Sequence, residues 1–207
     1  MVKRNLLFTA FMFLILSTSQ NVYANNNLFN NKGVHLLVNM RKLWEDHIVY
    51  TRNFIISAIA NLEDQSAVIE RLLSNQDDIG NAFKPYYGDM VGNKLAKLLR
   101  EHIALAGAVV VDAIANDMPQ FEQDYQDWKD NAKEIAKFLS KQNPNWSKND
   151  LKEMLYKHLE LTTGEVTSRL SQDWEADISF YDINHLHMLM FSDVLTGGII
   201  KQFPSKF

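Results

Sequence analysis

The chain has 207 residues, no cysteine and a formal net charge of −4. Disulfides, thiol chemistry and cysteine-type zinc sites are therefore excluded. No basic run follows Arg4, which argues against a partner held through nucleic-acid phosphates.

The N-terminus reads as a secretory signal. Lys3 and Arg4 precede an apolar run over 6–16, and Val22-Tyr23-Ala24 supplies a cleavage site before Asn25. The apolar run is shorter than the roughly 20 residues that cross a bilayer. The expected organisation is a signal peptide over 1–24, an asparagine-rich flexible lead-in over 25–33 and a helical domain over 34–204. Loss of Lys3 and Arg4 leaves 19 basic against 25 acidic side chains. No other stretch is apolar enough to span a membrane, so the mature protein is expected to be soluble, in the periplasm or secreted.

Helical periodicity runs through the rest. Leu37, Met40, Trp44, Ile48, Thr51, Ile55 and Ala58 mark the inner face of a first helix over 34–61. Asp64 or Ser66 opens a second, carrying Val68, Ile69, Leu72 and Leu73. It is expected to fray within Asp77-Asp78-Ile79-Gly80-Asn81, with Lys84-Pro85-Tyr86-Tyr87-Gly88 as a firm break. A third helix covers 89–116, and Pro119 suits the first turn of a fourth that ends near Gln142. Ser147-Lys148-Asn149-Asp150 resembles a capping box and opens a fifth helix, which Thr163-Gly164 is expected to bend. The sixth spans about 172–198. No segment alternates as a strand does, so the fold is expected to be all-α: an up-down bundle of about six helices joined by short connections.

A pattern recurs at a spacing of 55 and then 56 residues: Leu43-Trp44-Glu45-Asp46-His47, Leu98-Leu99-Arg100-Glu101-His102 and Met154-Leu155-Tyr156-Lys157-His158. Ser57-Ala58-Ile59-Ala60-Asn61 matches Asp112-Ala113-Ile114-Ala115-Asn116 at the first of these offsets. The even helices echo one another too, with Asp127-Trp128-Lys129-Asp130 resembling Asp173-Trp174-Glu175-Ala176. Three related helical hairpins are the reading.

Each histidine has apolar residues at i−4, i−3 and i+1, so each imidazole is expected to point inward at a similar depth. Helix six places Asp177, Tyr181, His185 and Met188 on one face. His47, His102 and His158, completed by Asp177 or His185, would suit a divalent transition metal ion. Asp182 and His185 form only one Asp-x-x-His element, where a di-iron bundle needs two Glu-x-x-His elements. The competing reading is a buried polar network in which every histidine bonds to a neighbouring helix.

The segment from Asn75 to Gly88 is read as a loop that interrupts the hairpin pattern. Asp78, Tyr86 and Tyr87, with Tyr181, could form a polar mouth for a small ligand, or the tyrosines could simply pack on helix ends. Trp44, Trp128 and Trp174 are expected in the core. No nucleophile elbow, phosphate loop or dinucleotide fingerprint occurs.

Leu43-Trp44-Glu45-Asp46-His47 with Thr51-Arg52, Asn75-Gln76-Asp77-Asp78-Ile79-Gly80, Pro85-Tyr86-Tyr87-Gly88 and Met154-Leu155-Tyr156-Lys157-His158-Leu159 resemble a family of small bacterial helical proteins without established function. So does the closing Gly197-Gly198-Ile199-Ile200-Lys201-Gln202-Phe203-Pro204. The resemblance covers about 40–204 and implies a helical bundle. Some members carry the names glycosyltransferase or acetylglutamate kinase. Both chemistries normally use α/β folds, which the helical pattern does not support. The functions left open are binding of a metal ion or small ligand in the core, a non-enzymatic structural or interaction role, and a metal-dependent enzyme.

Overall fold

The computed structural model describes residues 31–207. The expected signal peptide and residues 25–30 of the lead-in lie outside the described residues. Six helices follow: α1 (Lys32–Ile59), α2 (Gln65–Tyr87), α3 (Asp89–Ala115), α4 (Met118–Gln142), α5 (Lys148–Leu170) and α6 (Trp174–Gln202). A 3-10 turn (Pro204–Lys206) closes the chain.

Short polar side chains start four of them. Asn31, Asp117, Ser147 and Asp173 accept hydrogen bonds from the amides of Val34, Gln120, Asp150 and Ala176. Each such cap is worth about 1 kcal/mol, because it satisfies an amide that the helix itself cannot.

Each helix packs on the next, and α6 returns to pack on α1, so the bundle closes into a ring. The up-down course runs α1, α3 and α5 parallel, and these three also touch one another. They form the inside of the ring. Met40, Trp44, Ile48, Leu95, Leu98, Leu99, Trp128, Leu155, Leu159, Met188 and Phe191 belong to one buried core.

Helix α2 corrects the sequence reading most. It continues through Asp77-Asp78-Ile79-Gly80-Asn81 and Pro85 to Tyr87. A Cβ on Gly80 would sit 2.6 Å from the Gly92 carbonyl, and one on Gly92 equally close to the Gly80 carbonyl. The two glycines therefore let α2 and α3 approach backbone to backbone. The break falls at Gly88, whose φ of 82° favours glycine.

The helices also continue through two other glycine sites. α5 runs on through Gly164, which makes room for the Phe180 ring, and α6 runs past Gly198, which makes room for Trp146. Trp174, expected in the core, is 53% exposed at the start of α6. Among the described residues no helix is long and apolar enough to cross a membrane.

Candidate functional site: a buried histidine layer

The apolar flanks that point each histidine inward bring all three together. His47 on α1, His102 on α3 and His158 on α5 are each buried. The His47 and His158 ring centroids lie 5.5 Å apart, and those of His102 and His158 lie 6.2 Å apart.

Every Nδ1 faces a carboxamide from the following helix. His102 Nδ1 is 2.8 Å from Asn131 Oδ1 and His158 Nδ1 is 2.8 Å from Asn184 Oδ1. His47 Nδ1 is 3.3 Å from Gln76 Nε2. The other end of each amide decides who donates. Asn131 Nδ2 donates to Leu98 O, and Asn184 Nδ2 donates to Thr162 Oγ1, whose own hydrogen goes to His158 O. Both asparagines therefore turn an oxygen to the ring, so His102 and His158 carry their proton on Nδ1.

His47 is the reverse. Gln76 Nε2 also lies 2.8 Å from Leu72 O and 3.1 Å from Asn75 Oδ1. Turning that amide would set oxygen against two oxygens. The NH2 group must face His47 and shares its two hydrogens among Leu72 O, Asn75 Oδ1 and His47 Nδ1, so Nδ1 carries no proton and the His47 proton sits on Nε2. The remaining nitrogen of His102 is also committed, because the Trp128 indole donates to its Nε2 at 3.0 Å.

Burial holds all three rings neutral. It pushes His102 down to about 3 and His158 down to about 4 from an ordinary 6.5, and His47 well below that value, with the neighbouring imidazoles adding to the effect on His47 and His102.

A second bond recurs around the layer. Asn75 Nδ2 bonds to Leu43 O, Asn131 Nδ2 to Leu98 O and His187 Nε2 to Met154 O. Each carbonyl is four residues before its histidine, and the three partners are spaced 56 residues apart. On α6 the bond to the carbonyl is made by His187, and Asp177 takes no part in it. Trp174 takes no part either, since it lies beneath the Arg169 guanidinium rather than on a histidine.

Beside the rings is a small cavity walled by Thr51, Phe54, Ile55, Leu72, Ile103 and Val110 together with the three histidines. Its volume is about 20 Å³, enough for one water molecule. Among the described residues no group of three or more His, Cys, Asp or Glu side chains is arranged to hold a metal ion.

Asp177 is buried away from this layer, in a charged cluster. Arg52 bridges Glu165 at 2.6 Å and Asp177 at 3.0 Å, and Arg169 reaches Asp177 at 2.9 Å. Two cations meet two anions, so the cluster is balanced. Burial still raises Glu165 to about 7 despite Arg52. Tyr181 lies under the Arg52 guanidinium and stacks on His185. His185 Nε2 sits 3.3 Å from Glu45 Oε1 without the alignment of a hydrogen bond. Asp177, Tyr181 and His185 thus share a face, as expected, but that face meets α1 through Arg52 and Glu45.

The tyrosines of the supposed loop stand at the end of the bundle. Tyr87 packs on Phe83, Trp146 and Phe203, and its hydroxyl donates to Gln202 Oε1 and accepts from Asn143. Burial pushes that hydroxyl up to about 12. Tyr86 packs on Phe203 and Phe207, while Asp78 is exposed, 3.7 Å from Arg71. These residues do not join the histidines.

Sequence reasoning missed Gln76, Asn184 and Trp128 as partners of the layer. The 26- to 29-residue step from each histidine to its carboxamide was the available signal. No family model matches the chain, and neither curated proteins nor solved structures provide a match.

Proposed function

We propose that this is an exported, non-enzymatic structural or interaction protein whose buried histidines form a polar network that fixes how the helices meet. The observation that carries this reading is the commitment of the ring nitrogens. All three Nδ1 atoms are held by carboxamides, and His102 Nε2 by an indole. Only His158 Nε2 keeps an uncommitted lone pair. A divalent ion there would meet one ready imidazole in a largely apolar cavity, where desolvating even a singly charged group costs tens of kcal/mol by the Born estimate.

The recurring bonds to Leu43, Leu98 and Met154 carbonyls support descent of three hairpins from one. Export rests on the N-terminal sequence, and N-terminal sequencing of the mature protein is expected to begin at Asn25. The resemblance to uncharacterised bacterial helical proteins adds no activity. Among the described residues the six helices supply no nucleotide-binding sheet for a glycosyltransferase or a kinase.

A second reading, a metal or small-ligand site in the histidine-rich core, is favoured by the convergence of three imidazoles. It requires the Gln76 amide to turn and the Trp128 indole to let go, and a metal-dependent enzyme would need the same ion. Metal analysis of tag-free protein, with thermal unfolding in added zinc, iron or copper, separates the two. The network reading expects no stoichiometric metal and no rise in Tm. Bound metal that disappears in His102→Ala would replace it with the second reading.

A further inference from the structure

The proton positions in the histidine layer leave two ring nitrogens without a protein partner. One is Nε2 of His47, which carries a hydrogen because its Nδ1 accepts from Gln76. The other is Nε2 of His158, which carries a lone pair because its Nδ1 donates to Asn184. In both rings the Nδ1 edge turns out toward an even helix, which leaves Nε2 on the inward edge. Both rings wall the same cavity, and their centroids are 5.5 Å apart. A ring with a free donor and a ring with a free acceptor therefore wall one space of about 20 Å³.

We propose that this cavity is a binding site for a single uncharged molecule that both donates and accepts, namely water, bridging His47 and His158. Water accepts from His47 Nε2–H and donates to His158 Nε2. Thr51 also lines the cavity, and its hydroxyl hydrogen is committed to His47 O, which leaves the oxygen free to accept. It offers an acceptor for the second hydrogen. Three partners is the usual number for a buried water, and the space suits one. An ammonium ion has no lone pair for the His47 hydrogen. A metal ion would meet that hydrogen rather than a ligand. The Gln76 and Asn184 amides set opposite tautomers in two neighbouring rings, and that opposition makes the site selective for an amphiprotic guest.

The inference rests on the neutral-network reading, and the two can fail separately. In the ¹⁵N-labelled full domain at neutral pH, the His47 Nε2–H proton is expected to show a cross-peak to a long-lived water. In His158→Phe, which keeps an aromatic ring but removes the acceptor, that cross-peak is expected to disappear. A nitrogen–nitrogen coupling between His47 and His158 through a direct hydrogen bond would overturn the water site in the wild-type protein, whether or not the variant folds. A water cross-peak that persists in folded His158→Phe would also overturn the bridge. Stoichiometric metal at the layer would instead remove the underlying reading.

Discussion

Trp128 donates its indole hydrogen to His102 Nε2 at 3.0 Å, and both residues are buried. This bond closes the one histidine in the layer whose two nitrogens are both satisfied by protein, and it ties α4 to α3 at the level of the core.

Its loss should therefore be visible against a control. Trp44 is equally buried, but its indole nitrogen has no hydrogen-bond partner. Trp128→Phe and Trp44→Phe both remove ring volume, yet only the first strands a buried acceptor. Stranding a buried polar group costs about 1–3 kcal/mol. Denaturant unfolding should show Trp128→Phe to be the more destabilised by roughly that margin. Equal losses would mean the indole bond contributes nothing.

Stability should rise with pH through 6.5 and level off above about pH 7. The three histidines have folded pKa values below their ordinary 6.5. Between that value and their folded values the unfolded chain binds more protons, so their contribution is complete above pH 6.5 and is lost as pH falls. Glu165 works in the opposite direction, because its folded value near 7 lies above the ordinary 4.5. Its contribution is complete below pH 4.5 and is lost as pH rises through 7. Three protons outweigh one throughout the acid limb, where the slope near pH 5.5 should reach about 2–3 kcal/mol per pH unit. Unfolding free energy measured from pH 4.5 to 8 checks the rise and the plateau. A flat profile below 6.5 would show the imidazoles to be solvated or already charged.

Adjacent glycines on α6 should respond in opposite directions. A Cβ at Gly197 meets nothing within 4 Å, whereas one at Gly198 would overlap the Trp146 indole. Gly197→Ala should gain about 0.5–1 kcal/mol from the helix backbone. Gly198→Ala should lose about 1–3 kcal/mol through overpacking, and the Trp146 bond to Val194 O would be displaced with it. Thermal unfolding of the two single variants decides this.

The two arginine–aspartate attachments of α6 to α1 should differ sharply. Asp177 is buried and serves Arg52 and Arg169, while the Arg41–Asp193 pair is partly solvated. Asp177→Ala leaves two half-buried guanidinium groups sharing Glu165, a break expected to cost about 3–5 kcal/mol. Asp193→Ala should cost no more than about 1 kcal/mol, less at high salt. Comparable losses for the two would place the cluster in solvent.

The depth and meeting of the histidines were legible because apolar flanks at helical spacing encode which way a residue faces. Their partners were not. Asn75 and Gln76 precede a stretch with the composition of a turn, and only the Gly80–Gly92 approach between α2 and α3 shows why it stays helical. Local likeness paired Trp174 with Trp128, but the Arg169 contact holds Trp174 at the surface. The spacing of 56 between Asn75, Asn131 and His187 was present in the sequence all along. It could not be read without knowing which carbonyls those side chains reach. Asp177 looked like a metal ligand by residue type. The two guanidiniums beside it come from α1 and α5, a juxtaposition set by tertiary packing.

The central claim is that the layer is neutral and ordered by hydrogen bonds. Long-range ¹H–¹⁵N correlation of the histidine rings at pH 7 tests it most directly. The account predicts one ring, His47, protonated on Nε2, and two, His102 and His158, protonated on Nδ1, with no change on adding zinc. Imidazolium signals, or zinc-induced shifts in all three rings, would contradict it.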